Sequence, residues 1–164
     1  MFPSATHVRH GTLALVVDDD LHMRAMLAEL LEEEGYDVLT ASNGFSGLRT
    51  LQDRRPRLLL LDLALPELSG IDLLHEVRAS PATRDVAVVV VTAHRHLLTE
   101  ADLAEVEGVL DKPFDVPDLL AQVHLAVYHP SLRRSEVAPV VATPPHVDLA
   151  PRPRRPADPH HTRR

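Results

Sequence analysis

Three short runs of apolar residues divide the first part of the chain, and none of them alternates between apolar and polar side chains. The runs are LALVV at 13–17, LLLL at 58–61 and VAVVVV at 86–91. A strand that is half exposed to water shows such alternation, whereas a strand buried on both faces is apolar throughout. The three runs therefore predict the central strands of a parallel sheet that is covered on both sides by helices.

Helical patterns separate these runs, and two weaker strand candidates complete the series. The weaker strands are 37–41 and 109–111, and the helices are predicted over 21–34, from Asn43, directly after Ser69-Gly70, over 97–106 and over 115–128. The apolar stripe of the first helix is assigned to Leu21, Ala25, Met26, Ala28, Leu30 and Leu31. A strand followed by a helix, five times over, predicts a doubly wound α/β fold, because right-handed crossovers place helices on both faces of one sheet.

Charge and proline content divide the chain into a folded part and a terminal segment. Residues 129–164 hold seven of the 17 Lys and Arg residues, three of the 24 acidic residues and eight of the 14 prolines. Such a segment cannot bury enough apolar surface to offset its ordering entropy. We therefore predict a flexible leader at 1–11, a folded domain at 12–128 and a Pro/Arg-rich disordered tail at 129–164.

Composition also excludes several classes of protein. The chain has no cysteine, which removes disulfides, thiol nucleophiles and thiolate metal sites. None of its apolar runs approaches the length of a membrane span, and no export signal opens the sequence. These absences predict a cytoplasmic protein with no membrane contact.

Polar side chains follow the predicted strands at the point where each strand ends. Asp18 and Asp19 follow the first strand, and Asp62, Thr92 and Lys112 lie at the ends of the third, fourth and fifth. Each alone has an ordinary interpretation as a helix cap, a strand end or a solvated charge. Because the carboxyl ends of parallel strands share one edge, where ligands bind, their common position favours a functional site.

The residue types at this edge indicate one kind of chemistry. Carboxylates packed together repel one another unless a cation joins them, and oxygen ligands favour Mg²⁺. An aspartate beside Mg²⁺, a hydroxyl and an ammonium can accept a phosphoryl group. Lys112 is the single lysine beside 16 arginines, which favours a need for a compact point charge. His94 and His96 are interpreted as solvated loop residues.

Four motifs, in this order, resemble the response-regulator receiver domain of two-component phosphorelays. They are LALVVDDD at 13–20, LLLLDLALPELSGIDLL at 58–74, VVVVTAH at 88–94 and DKPF at 111–114. The resemblance implies a flavodoxin-like (βα)5 fold with a five-stranded parallel sheet in the order 2-1-3-4-5. It also implies that Asp62 is the phosphoacceptor, with Thr92 and Lys112 contacting the phosphoryl group.

The same resemblance implies a metal site and a set of partners. Mg²⁺ would be bound directly by Asp19, Asp62 and the backbone carbonyl of Ala64, and through water by Asp18. The phosphodonor would be a sensor histidine kinase or a histidine phosphotransfer protein. A docking surface is expected at Met23, Met26 and Leu27 near the start of the first helix. The domain would be a monomer or a phosphorylation-dependent homodimer.

The chain departs from the family's pattern at positions that concern its output. Val109 stands where the family usually has Tyr or Phe, and Ala64 and His94 occupy the variable positions beside the phosphorylation pocket. We hypothesise that Ala64 leaves an attacking water unpositioned, so that the phosphorylated form is long-lived. The segment 129–164 has no room for an effector domain, so a stand-alone receiver is predicted, which binds an unknown protein or relays the phosphoryl group. Nucleic-acid binding is not expected, because this segment has no aromatic residue for base stacking.

Two other functions compete with a phosphorylated receiver. A non-phosphorylated, receiver-like scaffold that acts through its surface and tail is favoured by Val109 and opposed by the retained acids, Thr92 and Lys112. A magnesium phosphatase of the haloacid-dehalogenase kind would need D-x-D followed by Thr or Val on the first strand, whereas Leu21 and His22 follow here. The prediction is therefore a signalling domain that catalyses only its own phosphorylation and dephosphorylation.

Overall fold

Five strands form one parallel sheet in the structure, a computed structural model that describes residues 11–128. The strands are β1 (Thr12–Val17), β2 (Tyr36–Ala41), β3 (Leu58–Leu61), β4 (Ala87–Thr92) and β5 (Gly108–Asp111). Their order in the sheet is β2-β1-β3-β4-β5, and every neighbouring pair is parallel. The flavodoxin-like fold and its strand order are confirmed. Apart from Gly11, the leader and tail predicted at 1–11 and 129–164 lie outside the described residues.

The apolar runs occupy the centre of the sheet and are buried on both of its faces. All four leucines of β3 are at most 1% exposed. Leu59 and Leu61 belong to one core cluster, and Leu58 and Leu60 belong to another. Since alternate residues of a strand point to opposite faces, a strand that serves two cores must be apolar at every position.

Five helices cover the sheet within residues 11–128. They are α1 (Leu21–Glu33), α2 (Gly44–Arg54), α3 (Gly70–Ala79), α4 (Glu100–Ala104) and α5 (Val116–Tyr128). The first four begin after a residue whose side chain accepts a hydrogen bond from the helix backbone, namely Asp20, Asn43, Ser69 and Thr99. Among these described helices, none has the combination of length and hydropathy that a bilayer span requires.

The predicted apolar stripe of α1 is wrong at its start. Leu21 is 65% exposed and Met26 is 38% exposed, whereas Leu27 and Leu31 are fully buried. The sheet-facing line of this helix is the i, i+4 pair of Leu27 and Leu31. Leu21 is the first residue of the helix, and it belongs to neither of the two core clusters. Leu27 is therefore a core residue and is removed from the predicted docking surface.

The fourth helix is shorter than the predicted 97–106. A 3-10 turn over Arg95–Leu97 comes first, and Leu98 then takes an extended conformation. Thr99 fixes the start of α4 through a capping box with Asp102, and the helix is five residues long. Val106, the predicted last residue, is buried in the connection to β5.

Candidate functional site at the carboxyl edge of the sheet

Three carboxylates meet where β1 and β3 end. The backbone N–H of Asp62 donates to the carbonyl of Val17 at 2.9 Å, which keeps the two strand ends side by side. One carboxylate oxygen each of Asp18, Asp19 and Asp62 lies within 4.8 Å of the others. Asp18 and Asp62 are buried, whereas Asp19 is exposed. The acidic cluster predicted from the sequence therefore exists and opens to solvent through Asp19.

Lys112 connects two of these carboxylates from the end of β5. Its Nζ donates to Asp18 Oδ2 at 2.7 Å and to Asp62 Oδ2 at 3.2 Å. Its backbone N–H donates to the carbonyl of Thr92 at 3.0 Å, which holds the end of β5 against β4. The Lys112–Pro113 peptide bond is cis. Lys112 and Asp18 therefore form an ion pair, although 94 residues separate them in the sequence.

The pKa values of Asp18 and Lys112 are set by two opposing effects, burial and the attraction between the two charges. Burial raises the pKa of Asp18, and the hydrogen bonds from Lys112 and from the backbone N–H of Asp20 offset only part of this effect. Burial alone would lower the pKa of Lys112, but the Asp18 and Asp62 carboxylates outweigh burial and raise it. Lys112 therefore stays protonated at neutral pH, and one ammonium faces three carboxylates.

The start of α3 packs directly against the backbone of Asp62. A Cβ on Gly70 would lie 2.2 Å from the carbonyl oxygen of Asp62 and 2.5 Å from the Cα of Leu63. Gly70 also donates its backbone N–H to the carbonyl of Leu63 at 3.0 Å. Only glycine allows α3 to approach the strand end so closely. The exposed Ala64 donates its backbone N–H to Asp62 Oδ1 at 3.4 Å.

Thr92 lies at the predicted edge and has its own hydrogen-bond partner. It ends β4, is fully buried, and its hydroxyl accepts a hydrogen bond from the backbone N–H of His94 at 3.0 Å. Asp20, the third acid of the triplet, is the N-cap of α1, so the ordinary interpretation holds for that residue. His94 and His96 are exposed on the following loop, as interpreted from the sequence.

One residue at the site was missed by the sequence analysis. The Arg24 guanidinium donates from Nη1 to the backbone carbonyl of Asp18 at 2.6 Å and to that of Asp19 at 3.4 Å. The indication available in the sequence is an arginine in the first turns of a helix that follows three acids, where the helix dipole does not favour a cation.

The donor set fits a hard divalent cation. The clustered ligand atoms are carboxylate oxygens, one of the three side chains is exposed, and a single ammonium does not balance their charge. Oxygen ligands with room for water are what Mg²⁺ takes in proteins. An acidic cation site with an apposed lysine, at the carboxyl edge of a doubly wound sheet, defines a class of phosphoryl-accepting α/β domains.

Comparison with known proteins assigns the family. Residues 14–124 match the model of the response regulator receiver domain. The transcriptional regulatory protein CpxR homolog of Haemophilus influenzae is 37% identical over 111 residues, which cover 66% of this chain and 47% of that protein. The chain spans about half the length of the first curated relatives that it matches. This chain belongs to the response-regulator receiver family.

Solved structures agree with this assignment. The response regulator TrrA of Thermotoga maritima, solved in complex with Mg²⁺ and BeF, has a TM-score of 0.63 and 30% identity, covering 68% of this chain and 96% of that one. The receiver domain of a sensor histidine kinase of Pseudomonas aeruginosa, with a magnesium ion coordinated in its active-site cleft, has a TM-score of 0.64 and 26% identity, covering 71% and 98%. The chain is thus similar to receiver domains whose site is occupied by Mg²⁺.

Proposed function

We propose that this chain receives a phosphoryl group on Asp62 from a phosphohistidine of a sensor histidine kinase or a histidine phosphotransfer protein. The observation that carries the proposal is the convergence of three carboxylates and Lys112 at one sheet edge, in a chain of the receiver family. One Asp62 oxygen would attack phosphorus while the bond from phosphorus to the donor's imidazole nitrogen breaks. The proposed product is a phosphoaspartate that signals by binding a protein or by passing the group onward.

The proposed metal ligands are Asp19, Asp62 and the backbone carbonyl of Ala64, with Asp18 acting through water. Bound there, Mg²⁺ would supply positive charge to the phosphoryl oxygens. Asp18 is buried and engaged by Lys112, which supports an indirect role, whereas Asp19 is exposed and open to an ion.

Lys112 and Thr92 would stabilise the transferred group. Lys112 already donates to Asp62 at 3.2 Å, so its charge stands beside the proposed acceptor before any transfer. The hydroxyl of Thr92 would turn from the backbone N–H of His94 to a phosphoryl oxygen. This change would move the loop that leads through the 3-10 turn to α4.

The proposed docking surface for the donor is the exposed start of α1. Leu21 and Met26 are exposed there and Met23 is half-buried, next to the loop that bears the acids. An exposed apolar group beside the proposed acceptor suits a partner that must bring a histidine to Asp62.

The test is the intact mass of the full chain after incubation with acetyl phosphate and Mg²⁺. We expect a gain of about 80 Da, which is one phosphoryl group on a nucleophilic carboxylate. The gain should be absent in Asp62→Asn and after treatment with EDTA. Asp72→Asn is the matched control, because Asp72 is an exposed acid of α3 outside the cluster. No adduct with any phosphodonor, or an equal adduct in Asp62→Asn, would reject the proposal.

The lifetime of the phosphorylated form is a second part of the proposal. Ala64 and His94 are both exposed beside the site, and a methyl group offers nothing that could orient an attacking water. We therefore expect purified phosphoprotein to persist well beyond seconds. Loss of the mass adduct within seconds would contradict this expectation, and Ala64→Asn should shorten the lifetime if a polar side chain at this position positions the water.

A scaffold that does not depend on phosphate is the alternative, and one observation favours it. Val109, half-buried beside the core, lacks the ring that would follow a movement of Thr92. A partner that binds wild type, phosphorylated wild type and Asp62→Asn equally would support the scaffold. The relatives are named transcriptional regulators, but the output of this chain, its oligomeric state, its cytoplasmic location and the expected lack of nucleic-acid binding remain predictions.

A further inference from the structure

Arg24 makes an unusual contact at the start of α1. From the first turns of the helix its side chain reaches back past the N-terminus to the loop that carries the acids. Nη1 donates to the carbonyl oxygen of Asp18 at 2.6 Å and to that of Asp19 at 3.4 Å. These are the two peptide carbonyls on either side of the Asp19 Cα, so the guanidinium restrains the backbone on both sides of one residue.

The helix dipole does not explain an arginine at this position. The N-terminus of a helix carries a partial positive charge, and acidic residues are favoured there. Arg24 is half-buried at that end. What favours Arg24 here is its hydrogen bonding to the two backbone carbonyls, because a guanidinium is a charged and directional donor.

The contact matters most for the direction of the Asp19 carboxylate. Asp18 is restrained through its own side chain, which accepts from Lys112 at 2.7 Å and from the backbone N–H of Asp20 at 2.9 Å. For Asp19, residues 11–128 supply no side-chain hydrogen bond or ion pair, and its carboxylate is exposed. The orientation of the Asp19 carboxylate therefore depends on the backbone that Arg24 holds.

We propose that Arg24 is a positioning residue of the cation site, which orients Asp19 toward a bound Mg²⁺ by fixing the carbonyls of Asp18 and Asp19. This inference rests on the proposed function, which places Mg²⁺ at the acidic cluster. The charge of Arg24 and its positioning role predict opposite changes in Mg²⁺ affinity when Arg24 is replaced. A guanidinium near a dication repels it, so loss of charge alone would tighten Mg²⁺ binding. Loss of positioning would weaken it, as removal of outer-shell partners of metal ligands does.

The experiment is a calorimetric titration of the full chain with MgCl2 for wild type, Arg24→Ala and Arg24→Lys. We expect the Kd of Arg24→Ala to rise about tenfold, the lower end of the effect of outer-shell substitutions. The Kd of Arg24→Lys should also rise above that of wild type, because lysine keeps the repulsive charge but lacks the planar fork that holds the two carbonyls. Arg49→Ala is the matched control, since Arg49 is 85% exposed on α2 and pairs only with Asp53 at 3.7 Å among the described residues. Its Kd should equal that of wild type.

A kinetic measurement separates positioning from general damage. In phosphorylation by acetyl phosphate, Arg24→Ala should need a higher Mg²⁺ concentration for half-maximal rate but reach nearly the wild-type rate at saturating Mg²⁺. Unchanged or tighter Mg²⁺ binding in Arg24→Ala would overturn the inference. If circular dichroism shows that Arg24→Ala is unfolded, Arg24→Lys decides: a raised Kd supports the inference and a wild-type Kd overturns it. Failure of wild type to bind Mg²⁺ would instead refute the proposed function.

Discussion

Replacing Lys112 by methionine should destabilise the domain far more than its single lost charge suggests. Methionine keeps most of the length of the side chain and removes the ammonium that joins Asp18 and Asp62 at 2.7 and 3.2 Å. Asp18 is 1% exposed, so its carboxylate would stand buried, without its cation and beside other acids. Removing one partner of a buried ion pair costs about 3–5 kcal/mol. We expect the free energy of unfolding to fall by about that amount at pH 7 in the absence of Mg²⁺.

The chain offers a control ion pair whose N–O distance is close to the longer of the two Lys112 contacts and whose side chains are exposed. Arg95 and Asp111 form an ion pair of 3.3 Å, with side chains 53% and 58% exposed. Exposed pairs contribute about 0–1 kcal/mol. Arg95→Met should therefore change the free energy of unfolding by no more than about 1 kcal/mol. The comparison separates burial from the mere presence of an ion pair.

The pH dependence of the Lys112→Met effect follows from the direction of the Asp18 pKa. Burial already raises that pKa in the wild type, and loss of the ammonium will raise it further. A carboxyl whose folded pKa lies above its unfolded value destabilises the fold when ionised and ceases to do so below the unfolded pKa of 3.8. The gap between variant and wild type should therefore be largest at neutral pH and should shrink as pH falls toward 4.

Urea unfolding followed by circular dichroism, with and without Mg²⁺, measures these differences. The same saturating Mg²⁺ concentration should narrow the gap, because the variant lacks the ammonium that repels the dication and therefore binds it more tightly; each tenfold lower Kd adds about 1.4 kcal/mol of stability to the variant relative to wild type. The reasoning is refuted if Lys112→Met loses no more stability than Arg95→Met, or if neither acid nor Mg²⁺ narrows the gap.

Three further predictions concern particular contacts. Gly70→Ala should lower the free energy of unfolding by about 1–3 kcal/mol in urea melts, because its Cβ would clash with the carbonyl oxygen of Asp62. It should also slow phosphorylation by acetyl phosphate, and an unchanged rate would contradict this. The pKa of Asp102 is lowered to about 2, first by the hydrogen bond from His75 and then by those from Thr99. The ionised carboxylate therefore contributes about 2 kcal/mol to the free energy of unfolding above pH 4, and this contribution is lost between pH 4 and 2. Asp102→Asn should remove that part of the acid dependence of urea unfolding. Leu27→Ala should cost about 2–5 kcal/mol, whereas its exposed neighbour Met26→Ala should cost no more than about 0.5 kcal/mol; equal urea midpoints would contradict the burial of Leu27.

The sequence predicted the strands of the sheet to within one residue at each end, for a physical reason that concerns burial. A strand such as β3, which serves two cores, must be apolar at every position, and this requirement is visible in one dimension as LLLL. The helix starts at Asn43 and Ser69 were equally predictable, because a capping side chain binds the backbone three residues away. The start of α4 was missed although Thr99 and Asp102 form a capping box that the sequence also shows.

The sequence by itself also predicted five polar residues that gather at the carboxyl edge of the sheet, although it missed Arg24. Asp18, Asp19, Asp62, Thr92 and Lys112 were identified because parallel strands bring their carboxyl ends to one edge, so that position along the chain implies position in space. That rule places residues at an edge, but it does not say which of them touch.

Only the tertiary structure decided the contacts. The lysine that bridges Asp18 and Asp62, and the guanidinium that returns from α1 to the carbonyls of the acidic loop, depend on side-chain directions that no periodicity encodes. The buried face of α1 was decided in the same way, because Leu21 and Leu27 are equally apolar and only the place of the sheet beneath the helix distinguishes them. Local patterns report what a residue requires of its environment; the partner that meets the requirement is set by the packing of the whole domain.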